Sequence, residues 1–215
     1  YGLRIGHEPK ATLLTDGLRY QHAYRMVCSL HGDEVSEGLA RMGRRPMDVT
    51  DLMLRLDSEL SELAIEPHRV VEHDRALIAQ LDGLGSGRGI AREIAEKARD
   101  RMMLAVLIER WRDYKTTHDL WEYIDQVRLA QRIVDQFPDT ITDMRSRLDI
   151  VLLDEYQDTS IAQRQLLQTL FGDGFPVTAV GDPCQAIYSW RGASVDNIES
   201  FPQHFPRTDQ RPASR

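Results

Sequence analysis

The spacing of hydrophobic residues divides the chain into a long helical stretch and a shorter stretch of another kind. Leu52, Leu56, Leu60 and Leu63 recur every three or four residues, which places them on one face of a helix. Similar spacing over 70–81, 90–111 and 120–134 predicts further amphipathic helices, the last beginning near Asp119. The pattern therefore predicts an all-helical segment over residues 1–147.

The pattern changes near residue 148. The run from Asp149 to Asp154 holds four consecutive apolar residues, which is typical of a short strand buried on both faces. Thr159 or Ser160 can cap a helix over Ile161–Phe171, and a second buried strand is predicted over Pro176–Val180. Strand, helix and strand in this order indicate a parallel βαβ unit. The fold class is thus α/β, with a helical segment over 1–147 and a partial parallel βαβ segment over 148–215.

Composition narrows the range of functions. The 215 residues carry a net charge of −7, so the chain has no overall basic character of the kind found in many nucleic-acid binders. Two cysteines, Cys28 and Cys184, are too few for a disulfide framework, and no His/Cys pair has zinc-ligand spacing. No apolar run approaches a membrane span and no signal peptide opens the chain. These features indicate a cytoplasmic protein without a membrane partner, and the start at Tyr1 suggests a piece of a longer one.

Acidic residues follow both predicted strands. Asp154 and Glu155 end the first strand, and Gly181-Asp182 ends the second; ligands of open α/β sheets bind at these carboxyl ends. One carboxylate there can hold Mg²⁺ beside nucleotide phosphates, and its neighbour can activate water. The alternative is that Asp154 and Glu155 only belong to a helix-capping loop.

Two longer motifs contain these turns. DEYQDT begins at Asp154, and GDPCQAIYSWRGA begins at Gly181, 22 residues after Thr159. In this order and spacing they resemble the Walker B box and the following motif of the UvrD/Rep-like DNA helicases of superfamily 1. The resemblance implies a RecA-like, P-loop NTPase fold for 148–215. It also implies an enzyme that uses ATP and Mg²⁺ to move along single-stranded DNA, 3′ to 5′, and to unwind duplex DNA in repair or recombination.

The same resemblance assigns roles to individual residues. Asp154 is the implied Mg²⁺ ligand, Glu155 the catalytic base for water and Gln185 the γ-phosphate sensor. Gln157 and Asp158 belong to the nucleotide-binding box and help couple it to the DNA site. Tyr188 and Trp190 are the implied contacts with single-stranded DNA, and Arg191 is implied to tether this motif to the acidic box or to DNA. For Trp190 the alternative is a core tryptophan. Cys184 lies beside the sensor, and we interpret it as a tolerated small residue rather than a redox group.

The helical segment occupies the position of the inserted subdomain that helicases of this kind carry before the Walker B strand. There it implies contact with duplex DNA, and the candidate arginines are Arg44, Arg45, Arg88 and Arg92; the alternative for each is a solvated surface arginine. A P-loop, G-x-x-x-x-G-K-[ST], does not occur in the sequence, so we expect the chain by itself to hydrolyse no ATP.

Individual residues of the second motif resemble two different groups of helicases. Pro183 and the run Gln185–Tyr188 resemble RecB-like helicase–nucleases, whereas Trp190 resembles UvrD. The mixture resembles the actinobacterial AdnB-type subunits, which would imply a second helicase–nuclease subunit as partner. The competing hypothesis is a non-catalytic DNA- or protein-binding module that retains a degenerate helicase fold.

Overall fold

A computed structural model describes residues 12–30, 34–83, 89–185 and 196–206. These residues divide into two compact units. The first, which we call the helical unit, comprises 12–60 and 65–122. The second, which we call the strand unit, comprises 61–64 and 123–206. Within the described ranges, no helix is long and apolar enough to cross a membrane.

The described residues of the helical unit form five helices and one pair of very short strands. The elements are β1 (Thr12–Leu13), α1 (Asp16–Cys28), α2 (Glu34–Arg41), α3 (Pro46–Glu62), α4 (Pro67–Gly83), α5 (Gly89–Thr117) and β2 (Leu120–Trp121). Pro67 is the first residue of α4, where its missing N–H costs no helix hydrogen bond. The predicted amphipathic helices of this region are confirmed.

The core of the helical unit centres on α5. Leu107, Ile108 and Trp111 are fully buried and pack with apolar side chains of α1 and α3. An ion pair between buried Asp74 and the partly exposed Arg101 also joins α4 to α5, because Arg101 donates two hydrogen bonds to the carboxylate of Asp74. Burial raises the pKa of Asp74, but the Arg101 and His73 hydrogen bonds outweigh it, so the pKa lies below its usual value.

The described residues of the strand unit form one parallel strand pair and several helices. Its elements are α6 (Tyr123–Gln136), α7 (Asp139–Ser146), β3 (Val151–Leu153), α8 (Ile161–Phe171), β4 (Val177–Ala179), α9 (Asp196–Glu199) and α10 (Phe201–His204). β3 and β4 pair in parallel, with Val151 opposite Val177 and Leu153 opposite Ala179. The predicted helical majority and parallel βαβ unit are confirmed.

Helix α8 begins where its sequence provides a cap. The hydroxyl of Ser160 accepts from the Gln163 backbone N–H at 3.2 Å, and the Gln163 side chain accepts from the Ser160 backbone N–H at 3.0 Å. This reciprocal pair satisfies two backbone donors at the helix start. Of the two predicted caps, Thr159 and Ser160, the structure therefore selects Ser160.

Two local predictions are wrong. The helix expected near Asp119 begins at Tyr123, because Leu120 and Trp121 instead pair as β2 with β1; Asp119 itself adopts a positive φ of 51°. The strands are also not buried on both faces, since Leu152 is 72% and Val180 64% exposed. The side chains of Val151 and Leu153 face the packed side of the sheet, and within the described chain no helix covers the other side.

Helices α6 and α7 belong to the same compact unit as the strands. The Arg145 guanidinium of α7 donates to the Leu170 carbonyl oxygen at 2.6 Å, and Gln131 of α6 donates to the Thr169 hydroxyl at 3.4 Å. The compact units thus divide at residue 122, whereas the hydrophobic pattern changes near 147. The assignment of 1–147 as an inserted subdomain stays a prediction.

Candidate active site at the strand ends

The two acidic turns lie side by side. Asp154 and Glu155 directly follow β3, and Gly181 and Asp182 follow β4 after one intervening residue, Val180. The parallel ladder continues past both strands, because Val180 N–H donates to the Leu153 carbonyl at 2.8 Å and Tyr156 N–H donates to the Val180 carbonyl at 3.0 Å. Parallel pairing therefore places both turns at the same edge of the sheet.

The backbone turns sharply at Glu155. This residue has φ 51° and ψ 40°, a left-handed conformation that costs a non-glycine residue about 1–2 kcal/mol. The turn ends the strand and starts a short 3₁₀ helix, Tyr156–Asp158. Asp154 helps to form the turn, since its Oδ1 accepts from the Glu155 backbone N–H at 2.9 Å. Both carboxylates are exposed and are accessible to a ligand at the strand ends.

Gln157 connects the two turns. Its side chain is only 1% exposed; Nε2 donates to Glu155 Oε2 at 2.6 Å, and Oε1 accepts from the Asp182 backbone N–H at 3.1 Å. A buried amide is stable only if its donors and acceptor find partners. The sequence placed Gln157 in the box but gave no sign of its contact with residue 182.

The second turn is held by Asp182. Its Oδ1 accepts from the Cys184 backbone N–H and its Oδ2 from the Gln185 side-chain amide, both at 2.9 Å. These two hydrogen bonds hold the pKa of Asp182 below its usual value. Gln185 ends a short 3₁₀ helix, Pro183–Gln185, with its side chain exposed.

Tyr156, the residue after Glu155, anchors the first turn in an aromatic cluster. Tyr156 is 1% exposed and packs edge-on against Phe201 and Phe205, and burial raises the pKa of its phenol to about 12. The Asn197 side chain donates to the carbonyl of Thr159, the last residue of the DEYQDT motif, at 2.7 Å. Asp158 is half-buried, and its Oδ1 has no hydrogen-bond partner among the described residues.

Comparison with known proteins identifies the domain that carries this arrangement. Residues 50–206 match the model of the UvrD/REP helicase N-terminal domain. The chain belongs to this family. The match includes both acidic turns and most of the described helices.

Three curated relatives are also similar over part of the chain. The ATP-dependent DNA helicase PcrA of Staphylococcus epidermidis is 29% identical over 48% of the chain and 14% of its own length. UvrD1 of Mycobacterium tuberculosis, also named an ATP-dependent DNA helicase, is 38% identical over 40% of the chain and 12% of its length. DNA helicase II of Escherichia coli is 44% identical over 32% of the chain and 10% of its length. The chain therefore matches only a small part of each relative.

Not every predicted site residue of this UvrD/REP domain is described. Asp154, Glu155, Gln157, Asp158 and Gln185 lie within the described ranges and are brought together as above. The three remaining residues, which were predicted from the DNA-contacting part of the second motif, lie outside the described residues: Tyr188, Trp190 and Arg191.

Among the described residues of the two turns, one carboxylate is suited to bind Mg²⁺. The described residues contain no group of three acidic, histidine or cysteine side chains that could enclose a metal. Magnesium needs no such cage, because it keeps several waters and takes one or two carboxylates beside nucleotide phosphates. Asp154 fits that role, since it is exposed and uses only Oδ1 within the described structure.

Of the four arginines predicted to contact DNA, two form ion pairs with nearby carboxylates. Arg45 is paired with Asp48 at 2.9 Å and Arg92 with Glu96 at 3.0 Å, so both are engaged in local ion pairs. Arg44 is exposed, and Arg88 lies outside the described residues.

The helical unit has another arginine-rich feature that the sequence did not reveal. A cavity of about 790 Å³ lies between α2, α4 and α5 and is lined in part by apolar side chains such as Met103. Its lining also includes three arginines, Arg41, Arg75 and Arg99, together with the carboxylates of Glu96 and Asp100. In the described chain none of the three arginines has a hydrogen-bond or ion-pair partner. They are far apart in sequence, so only the packing of three helices brings them together.

Proposed function

We propose that the chain is part of an ATP-dependent DNA helicase in which the strand-end turns form the hydrolytic half of the ATP site. The observation that supports this most strongly is the adjacency of the Asp154–Glu155 and Asp182–Gln185 turns, joined through Gln157. Family membership and the names of the curated relatives support the same reaction. The RecA-like, P-loop NTPase architecture of residues 148–215 is part of this proposal.

Each residue has a task in the proposed reaction. Asp154 would supply a carboxylate to Mg²⁺, and the ion would offset the charge of the phosphate oxygens. Glu155 would orient the attacking water and accept its proton; Gln157 occupies its Oε2, which leaves Oε1 for the water. The Gln185 amide lies in the adjacent turn and can contact a phosphate oxygen without adding charge. Asp158 has an unused carboxylate oxygen for the second motif, and Arg191 is its proposed partner.

DNA contacts are proposed for two regions. Tyr188 and Trp190 would stack with bases of single-stranded DNA, an interaction worth about 1–3 kcal/mol per base that requires no particular sequence. In the helical unit, Arg44 and the cavity residues Arg41, Arg75 and Arg99 are better candidates for duplex phosphates than Arg45 and Arg92, because within the described chain no hydrogen bond or ion pair holds their guanidinium groups. Movement 3′ to 5′, an AdnB-type identity and a second helicase–nuclease subunit are further parts of this proposal.

The direct test is ATP hydrolysis by the full-length protein with and without single-stranded DNA. We expect turnover to rise when DNA is added and duplex DNA to be unwound only when ATP is present. The isolated 215-residue chain serves as the control and should hydrolyse no ATP, since its sequence holds no P-loop.

The alternative is a binding module without catalysis. It predicts that the full-length protein binds DNA or a protein partner with no ATP turnover under any condition. That result would contradict the helicase proposal and leave the two turns as remnants of a catalytic site.

A further inference from the structure

Packing alone does not explain why an amide is buried at Gln157. A side chain that is 1% exposed could be replaced by an apolar one without loss of burial, and leaving an amide unpaired there would be costly. Both ends of this amide are nevertheless used, one as donor to a carboxylate and one as acceptor from a backbone N–H. The Gln amide offers a donor and an acceptor at once without any change of protonation state.

Gly181 allows the second of these hydrogen bonds to form. A Cβ at this position would collide with the Gln157 amide oxygen, and it would lie 2.8 Å from Ile198 Cδ1 and 3.2 Å from the Gln157 backbone nitrogen. The absence of a side chain at residue 181 lets the turn after β4 approach Gln157 closely enough for the Asp182 N–H to reach it.

The hydrogen bonds form a continuous connection between the two proposed catalytic groups. Gln185 donates to Asp182 through its side chain, the Asp182 backbone donates to Gln157, and Gln157 donates to Glu155. The three distances are 2.9, 3.1 and 2.6 Å. The residue that contacts phosphate in our proposal is thereby linked to the residue that activates water.

We propose that Gln157 is a positioning residue that fixes the Glu155 carboxylate relative to the Gly181–Gln185 turn, so that hydrolysis depends on where that turn lies. The inference rests on the proposed function, because it assigns Glu155 and Gln185 to the same reaction. Gln157 touches neither water nor phosphate and acts only through Glu155. Glu155 needs such support because its exposed side chain stands on a left-handed backbone residue, and no other hydrogen bond to its carboxylate occurs within the described chain.

The test uses the full-length protein with Gln157→Met, which keeps the length of the side chain and removes both hydrogen bonds. Misplacement of a catalytic group by about 1 Å can reduce the rate roughly 100-fold. We therefore expect kcat per nucleotide-binding site to fall about 10- to 100-fold, with the KM for ATP and the affinity for single-stranded DNA unchanged. Gln165→Met is the matched control, because Gln165 lies exposed on α8, and it should retain wild-type kcat.

A purely structural role would give a different result. It would lower the melting temperature or the number of nucleotide-binding sites while leaving kcat per site at the wild-type value, and that outcome would overturn the proposal. If Gln157→Met does not fold, Gly181→Ala provides the same test, because it retains the whole amide and only displaces the turn. We expect Gly181→Ala to reduce kcat in the same direction, and wild-type kcat in that variant would equally contradict the proposal.

Failure of this inference can be separated from failure of the proposed function. Glu155→Gln is measured in parallel. If Glu155→Gln abolishes turnover while Gln157→Met and Gly181→Ala retain it, only the positioning role is wrong. If Glu155→Gln itself turns over normally, the assignment of the base is wrong, and the positioning role is overturned with it.

Discussion

The helical unit and the strand unit bury their apolar side chains in different ways. In the helical unit, the described residues include fourteen buried apolar side chains in one cluster, with Leu107, Ile108 and Trp111 fully inaccessible. In the strand unit, the corresponding cluster contains three buried aromatic residues, Tyr156, Phe171 and Phe205. Its sheet leaves Leu152 and Val180 largely exposed.

The difference shows that the two units depend on their surroundings to different degrees. A helical bundle can close its core within its own helices, whereas a parallel sheet is normally covered on both faces. The exposed apolar face of β3 and β4 carries the turns proposed for catalysis at its edge. The proposed catalytic residues thus lie in the unit whose packing is less complete within the described chain, and we expect further protein to cover that face in the full-length molecule.

The largest expected difference between the units is in the loss of stability after one leucine is replaced in each. Leu107→Ala removes a fully buried side chain and should lower the free energy of unfolding of the 215-residue chain by about 2–5 kcal/mol. Leu152→Ala removes one that is 72% exposed and should change it by no more than about 0.5 kcal/mol. Urea unfolding of both variants measures the difference. Equal losses would contradict the contrast drawn between the units.

A smaller effect tests whether the sheet face is covered in the full-length protein. Leu152→Lys should be tolerated in the 215-residue chain, where the side chain meets solvent. In the full-length protein it should lower the free energy of unfolding by about 1–3 kcal/mol, because a charged group would be placed in an apolar contact. The measurement is the denaturation midpoint in each context, with Leu152→Ala as the uncharged control. The same small change in both contexts would mean that this face is exposed in the full-length protein too.

The sequence predicted the elements whose signals are local. Helix α8 begins and ends where predicted, since Ser160 and Gln163 form the cap and Gly172 follows the last turn. The strand positions and their parallel order also followed from two short apolar runs separated by a helix. The turns with Asp154, Glu155 and Asp182 could be placed at one edge for the same reason.

What the sequence could not predict depends on contacts between distant residues. The β1–β2 pair joins residues more than a hundred positions apart, and each strand has only two residues, which is too short for a periodic signal. The bond from Gln157 to the turn at Asp182 spans 25 positions and depends on the close approach that Gly181 allows. The docking of α6 and α7 on α8 likewise cannot be read from a helical pattern, since the pattern shows that a helix forms but not what it packs against.

The measurement that tests the central claim most directly is single-turnover ATP hydrolysis by the full-length protein on single-stranded DNA, comparing Glu155→Gln with Glu109→Gln. The control replaces an exposed glutamate of α5 in the helical unit. Loss of a general base typically costs about 100- to 10,000-fold, so we predict at least about a 100-fold loss for Glu155→Gln. ATP binding should be retained, and Glu109→Gln should behave as wild type. Hydrolysis by Glu155→Gln at the rate of the control would contradict the assignment of the strand-end turns as the hydrolytic site.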